Sequence, residues 1–363
     1  MLNPNIRRPI GLDIGNTDVY AAQIQEGRRG FLVRELMHVR IAGPGEAGPA
    51  DDEALGVALR EIAANEGFSG KRAVAHLPSH DIFSFPLSFQ INEGEGLEEA
   101  ILRESLEFLP FPMEEAVMDY PSVVAPAEGG DGEYKATVVA ARRADIEHYL
   151  TILEKAGFVV EAVDFQVSSL IRLHNYLHES GRNPIVLCNV DETRSQVSVA
   201  TRNSILAQLG VKWGTERLTS KVQVNLGSDE RQARILLKNF GLVYENRESF
   251  MQIADEELRN TARVIHQILV PLIEELIYEL HKITGYVRAE EDYAFFDGMY
   301  LYGQAALIRG LEHYLAKRLN IRTAPVNPLE KFLPLEGGSW PDPSEGPPFA
   351  LALGLAMRTV RWL

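Results

Sequence analysis

Short apolar runs broken by turn residues open the chain. Ile10–Asp13, Val19–Gln25 and Phe31–Val39 have strand length and strand composition, which predicts a three-strand meander over residues 10–42. A helix is predicted at about Glu53–Asn65 and a strand at Arg72–Leu77. From Pro78 to Arg142 the pattern changes. Phe83-Ser84-Phe85-Pro86-Leu87 is a short aromatic strand, and Leu97, Ile101, Leu102, Leu106 and Leu109 recur at helical spacing. Pro110-Phe111-Pro112 stops that helix, because proline lacks the amide donor and its ring clashes with the preceding turn. Met118–Val124 and Ala136–Ala141 read as strands around a Gly/Asp-rich turn over Glu128–Glu133, so this block is a small α+β insertion. Asp145–Ala156 then reads as a helix, Val159–Val163 as a strand and Gln166–Leu177 as a helix.

A second round begins at Ile185. The apolar strand Ile185–Asn189 enters a polar turn and a further strand, Gln196–Ala200, follows. The rounds align as Asp13/Asn189, Gly15/Asp191 and Thr17/Thr193, an internal repeat at half-chain separation. From Leu258 to Ile283 an amphipathic helix carries Ile265, Leu269, Leu272, Ile273, Leu276 and Leu280, with a kink expected at Pro271 unless a neighbour compensates. A Gly/Pro-rich loop, Gly337–Pro348, leads into a last apolar helix over Phe349–Trp362, for which burial is expected rather than membrane contact.

Length and composition narrow the class. At 363 residues the chain suggests two domains, and 45% apolar with 24% charged residues is ordinary for a soluble globular protein. No apolar run is long enough for a transmembrane helix, and Met1–Arg8 lacks a signal-peptide core. Cys188, the single cysteine, sits in an apolar strand, which fits a reducing compartment and excludes a disulfide framework. A cytoplasmic location is the expectation. The net charge of −15 argues against a nucleic-acid partner. Acid residues between Glu93 and Asp119 form a solvated face or a surface for a basic peptide.

The chemistry is concentrated at Asp13-Ile14-Gly15-Asn16-Thr17, between two apolar strands. Glycine and a small hydroxyl let phosphate approach the main chain, where successive N–H groups form an anion-binding concavity. The Asp13 carboxylate is the candidate ligand for the magnesium that accompanies a nucleotide. His174 and His178 are four apart on a predicted helix, but no carboxylate lies between them as in a zinc helix, and they read as a solvated pair. His76 and His80 flank Pro78 and receive no role. No nucleophile elbow is present, and Cys188 has no base beside it in sequence.

Leu109-Pro110-Phe111-Pro112-Met113-Glu114-Glu115-Ala116-Val117-Met118-Asp119-Tyr120 closely resembles the signature of the PilM family of type IV pilus assembly. Thr137–Arg142, Ala162-Val163-Asp164 and Phe349–Ala356 resemble that family in the same order, so the likeness spans about Ile10–Arg358. The resemblance implies an α/β, actin-like (ribonuclease H-like) duplicated fold of the actin/FtsA superfamily. Residues 1–77 with 143–182 would form the first subdomain, and 78–142 the small α+β insertion. Residues 183–222 with 293–363 would form the second subdomain, with 223–292 a helical insertion in it. The resemblance further implies an ATP and magnesium site at Asp13, Gly15, Asn16, Thr17, Asn189, Asp191, Thr193, Gly214 and Gly303, with Gln166 orienting an attacking water or simply starting a helix.

The departures from the family pattern are specific. Its second turn reads Asp-Ile-Gly followed by small hydroxyls; here it is Asn189-Val190-Asp191-Glu192-Thr193-Arg194. New carboxylates lie where phosphate oxygens would sit, and two like charges at about 4 Å repel by roughly 4 kcal/mol at an effective dielectric near 20. The family's later Gly-Gly appears as Trp213-Gly214 and its Ser-Gly-Gly-Gly as Tyr302-Gly303-Gln304-Ala305, so side chains are expected where the family keeps bare backbone against the nucleotide. The expectation is weak or lost ATP binding without turnover, the competing reading being an active Mg-ATP-dependent ATPase. A sugar-kinase relation lacks a candidate catalytic base. The resemblance also implies a partner, the cytoplasmic N-terminal tail of a PilN-like membrane protein, held beside the insertion. Phe83, Phe85 and Phe111 are candidate pocket residues and Asp119 a candidate for a basic side chain. Self-association through the insertion and a place in a related type II secretion machine are the further family possibilities.

Overall fold

A computed structural model describes residues 7–41, 51–77, 81–126, 133–179, 181–290, 293–335 and 342–359. The expected meander is β1 (Arg7–Ile14), β2 (Asp18–Gly27) and β3 (Gly30–Arg40), followed by α1 (Asp52–Ala64) and β4 (Arg72–His76). Asp51 caps α1 by accepting from the Glu53 amide, and acidic residues in the first turn suit the positive end of the helix. The insertion holds β5 (Phe83–Phe89), α2 (Leu97–Ser105), β6 (Ala116–Val124) and β7 (Tyr134–Arg142). Then come α3 (Arg143–Lys155), β8 (Val159–Asp164) and α4 (Gln166–Leu177). The predicted turn over 128–133 falls largely outside the described residues.

The second round supplies β9 (Ile185–Val190), β10 (Ser195–Ala200) and β11 (Ile205–Val211). After these come α5 (Glu216–Leu226), α6 (Glu230–Asn239), α7 (Arg247–Met251) and α8 (Glu256–Glu290). The chain continues through β12 (Gly298–Gly303), α9 (Leu311–Leu319), β13 (Thr323–Pro325), β14 (Leu333–Pro334) and α10 (Ala350–Ala356).

Two sheets repeat one plan. The first runs β14-β3-β2-β1-β4-β8 and the second β11-β10-β9-β12-β13. In each, an antiparallel meander is extended by parallel strands beside its first member. We call the structures built on them the first and second lobes. The insertion adds a separate sheet, β5-β7-β6, whose inner face packs Phe85, Leu87, Phe89 and Val138 against Ile101 of α2.

Helix α8 continues through Pro271, burying Ile265, Leu269, Ile273, Leu276 and Leu280 in the second core. The indole of Trp213 donates to the Leu272 carbonyl (2.9 Å), just past the proline. The last helix is shorter than predicted and stops at Ala356, with every residue of α10 buried; residues 360–363 lie outside the described chain. It lies between the lobes against β1 and α4, not within the second lobe, and β14 pairs with β3. Small residues permit that fit: a Cβ on Gly11 would stand 1.9 Å from the Ala352 carbonyl oxygen.

Candidate functional site

The two meander turns face each other across the lobes. The Gly15 amide donates to the Asp18 carbonyl and the Asp191 amide to the Arg194 carbonyl, both at 2.9 Å, so the turns are matched in the register read from the repeat. Asp13, Gly15, Asn16, Thr17, Asp191, Thr193 and Gln166 all line the cavity between them. That cavity holds about 50 Å³. Pockets for small ligands and cofactors are usually some 300–1,000 Å³.

Asp13 already has a partner. Its Oδ1 lies 2.8 Å from Nε2 of His76, at the end of the neighbouring parallel strand β4. His76 Nδ1 is 2.7 Å from the Leu77 carbonyl oxygen. The Leu77 carbonyl can only accept, so Nδ1 carries a hydrogen, and a carboxylate at Nε2 favours the imidazolium form of the ring. Burial pushes the His76 pKa down, but the hydrogen bond and charge of Asp13 outweigh it and hold it above the ordinary value. The sequence assigned His76 no role. The register of β1 with β4 places it beside Asp13, and the polar end of an otherwise apolar strand was its signal. His80 lies outside the described residues.

The second turn carries the departures. Asp191 is half-buried, and desolvation followed by the repulsion of Asp13 raises its pKa to about 7. Asn189 donates to it from Nδ2 (3.2 Å). Glu192 is 7% exposed and reaches across the lobes: its Oε2 lies 3.0 Å from the Thr17 hydroxyl, which shares its hydrogen with Asp18 Oδ2 (2.7 Å), and its Oε1 accepts from Arg234 of α6. Asn16 donates to Thr193 Oγ1 (3.1 Å), a second link between the turns. The carboxylate of Asp18, paired with His38, is buried, yet hydrogen bonds from His38 and Thr17 overcome burial and lower its pKa.

Gly214 and Gly303 do not line the cavity between the turns. Gly214 is pressed on the second turn, where a Cβ would lie 2.1 Å from the Glu192 carbonyl oxygen. The amides of Thr215 and Glu216, at the start of α5, donate to the carbonyls of Asp191 and Glu192 (3.1 and 2.8 Å). Gly303 ends β12 opposite Val190. The bulk expected at Trp213 and Tyr302 does not enter the cleft: Trp213 packs in the second core, and Tyr302 is buried between the lobes with its hydroxyl 2.9 Å from His174 Nδ1. His174 is buried rather than solvated. Gln304 does face the cavity and donates to the Tyr20 hydroxyl (2.6 Å). A wider space of about 680 Å³ continues beyond Tyr20 and Glu192, lined by Arg40, Thr219, Arg234 and Phe349 among others.

A second concavity, about 710 Å³, separates the first lobe from the insertion. Leu77, Ile82, Val117, Met118, Val139, Ile146, Val163 and Phe165 give it apolar walls, and Asp119 lies on it. Asp164 at its side pairs with Arg172 (2.9 Å) and Arg358 (2.6 Å). Of the four candidate partner residues, only Asp119 lines this groove. Phe85 and Phe111 are buried, Phe85 stacked on Phe108 and Phe111 under Arg142, while Phe83 is exposed and meets the Phe111 ring edge-on.

Among the described residues no helix is long and apolar enough to cross a membrane. Residues 11–360 match the family described as type IV pilus assembly protein PilM. Among solved structures the chain is similar to the PilM-PilN type IV pilus biogenesis complex, with TM-score 0.75 and 21% identity over 98% of both chains. It is also similar to the ethanolamine utilization protein EutJ from Carboxydothermus hydrogenoformans, with TM-score 0.53 and 12% identity over 98% of this chain and 92% of that one. These likenesses establish the actin-like fold. With nearly its whole length matched, the chain belongs to the PilM family of type IV pilus assembly proteins.

Proposed function

We propose that this protein is a scaffold of a pilus inner-membrane assembly complex. It works at the cytoplasmic face and holds the N-terminal tail of a PilN-like partner in the groove between the first lobe and the insertion. One observation carries the reading: the groove lies between two strands that are each the edge of a sheet, β8 of the first lobe and β6 of the insertion. Edge strands offer unpaired main-chain groups to an extended peptide, and the apolar walls offer pockets for alternate side chains. Asp119 would take a basic residue of the tail. Titration calorimetry with the N-terminal peptide of a PilN-like protein should give micromolar or tighter binding, which Met118→Asp abolishes and Asp119→Lys weakens. Absence of heat at millimolar peptide overturns the reading.

We further infer that the cleft between the turns does not fit a magnesium-bound triphosphate. Asp13, Asp18, Asp191 and Glu192 line it, against the cations His76 and Arg194. Asp13 is engaged by His76, and the first amides of α5 are used by the second turn. The alternative, an active ATPase, is favoured by Gln166 facing the cavity at the start of α4. A rise in melting temperature with Mg-ATP that Asp13→Ala removes would establish nucleotide binding, and phosphate release lost in Gln166→Ala would establish turnover.

A further inference from the structure

We propose that Glu192 closes an intramolecular clasp that holds the two lobes together in place of a ligand. The inference rests on the reading that the cleft takes no triphosphate. The links form a ring. The Thr17 hydroxyl of the first lobe shares its one hydrogen between Asp18 (2.7 Å) and Glu192 (3.0 Å), and Glu192 pairs with Arg234. Arg234 Nε also donates to Glu230 Oε1 (3.0 Å), and Glu230 accepts from Arg40 Nη1 of the first lobe (2.7 Å). Arg40 is the ladder partner of Asp18, the residue after Thr17, so the ring leaves and re-enters the first lobe at one end of the β2–β3 hairpin.

Asn16 to Thr193 and Gln304 to Tyr20 reinforce it on either side. Every link joins groups within one chain, so the closed arrangement has no dependence on ligand concentration. Linked charges in a partly dry site support one another more than isolated surface pairs do. Lobe closure in this protein is thereby constitutive. The second lobe also touches the insertion, where Thr137 donates to the Ile205 carbonyl (2.9 Å) and Ser122 accepts from the Ile205 amide (3.3 Å). The clasp therefore fixes the insertion as well.

The test uses the full chain with spin labels on Val57→Cys of α1 and Val224→Cys of α5, which are 54% and 81% exposed, while Cys188 is buried. Pulsed dipolar spectroscopy should give one narrow distance in the otherwise unaltered chain, the same with and without Mg-ATP. Glu192→Gln, which keeps the volume, should broaden and lengthen it. Arg40→Gln, at the exposed end of the ring, should do the same should Glu192→Gln fold poorly. Unchanged distributions in these variants overturn the clasp. A distance in the unaltered chain that moves with Mg-ATP overturns instead the ligand-free reading beneath it.

Discussion

The Asp13–His76 pair shows how one side chain changes what a motif can do. In the sequence, Asp13 is a carboxylate at a phosphate turn; in the fold it is the counter-ion of a buried imidazolium. Removing one member of a buried pair leaves an uncompensated charge, which typically costs about 3–5 kcal/mol. His76→Leu should show a loss of that order in urea unfolding, and adding Asp13→Asn should recover part of it. A His76→Leu protein of unchanged stability contradicts the pairing. His174 gives a prediction of its own. Burial, then the neighbouring charge of His178, lowers its pKa to about 3. The unfolded chain therefore binds this proton more tightly than the native one. The stabilising contribution is complete above the unfolded value of about 6.5 and is lost as pH falls from there towards 3, at up to roughly 1.4 kcal/mol per pH unit. His174→Gln should flatten the stability profile between about pH 6.5 and 5, and an identical slope in both proteins would exclude His174 as its source.

At the scale of elements, helix α10 holds the molecule together by being thin. Its Gly354 lies against α4, where an added Cβ would stand 2.5 Å from the Ser169 carbonyl oxygen. Gly354→Ala should therefore push α10 from α4 and lower stability by about 1–3 kcal/mol in thermal unfolding, although alanine is the better helix former. An equally stable variant would mean that the helix shifts without cost. The strands and the repeat were legible because alternation and turn residues are local signals, as Asp13/Asn189 and Gly15/Asp191 show. What failed was everything set by a neighbour in space. Trp213 stands at a family glycine and Tyr302 at its serine, yet both rings pack into the interior. His76 acquires its meaning only from the β1–β4 register. Arg234 and Arg40 sit far apart in sequence and meet through Glu230. The groove beside Asp119 was placed by resemblance, while its walls come from β8, α4 and the tail at Arg358, which no local pattern joins.

For the molecule as a whole, the question is whether closure answers to a ligand. A ligand that binds only the folded state at a hundredfold its dissociation constant adds about 2.7 kcal/mol of stability, a shift of several degrees for a chain of this size. On the proposed reading the cavity of about 50 Å³ between the turns, lined by Asp13, Asp18, Asp191 and Glu192, provides no such gain. Millimolar Mg-ATP should leave the melting temperature unchanged. The same physics gives the converse: Asp191→Gly with Glu192→Ser removes two acidic groups and unlocks Arg234 from the second turn. That double variant should melt lower than the parent without ligand, because the clasp is gone, and should gain a Mg-ATP-dependent rise that the parent lacks. The two effects have opposite signs in one sample, so general damage to the fold cannot produce both. A parent protein that already shows the rise would place nucleotide, rather than Glu192, at the centre of lobe closure.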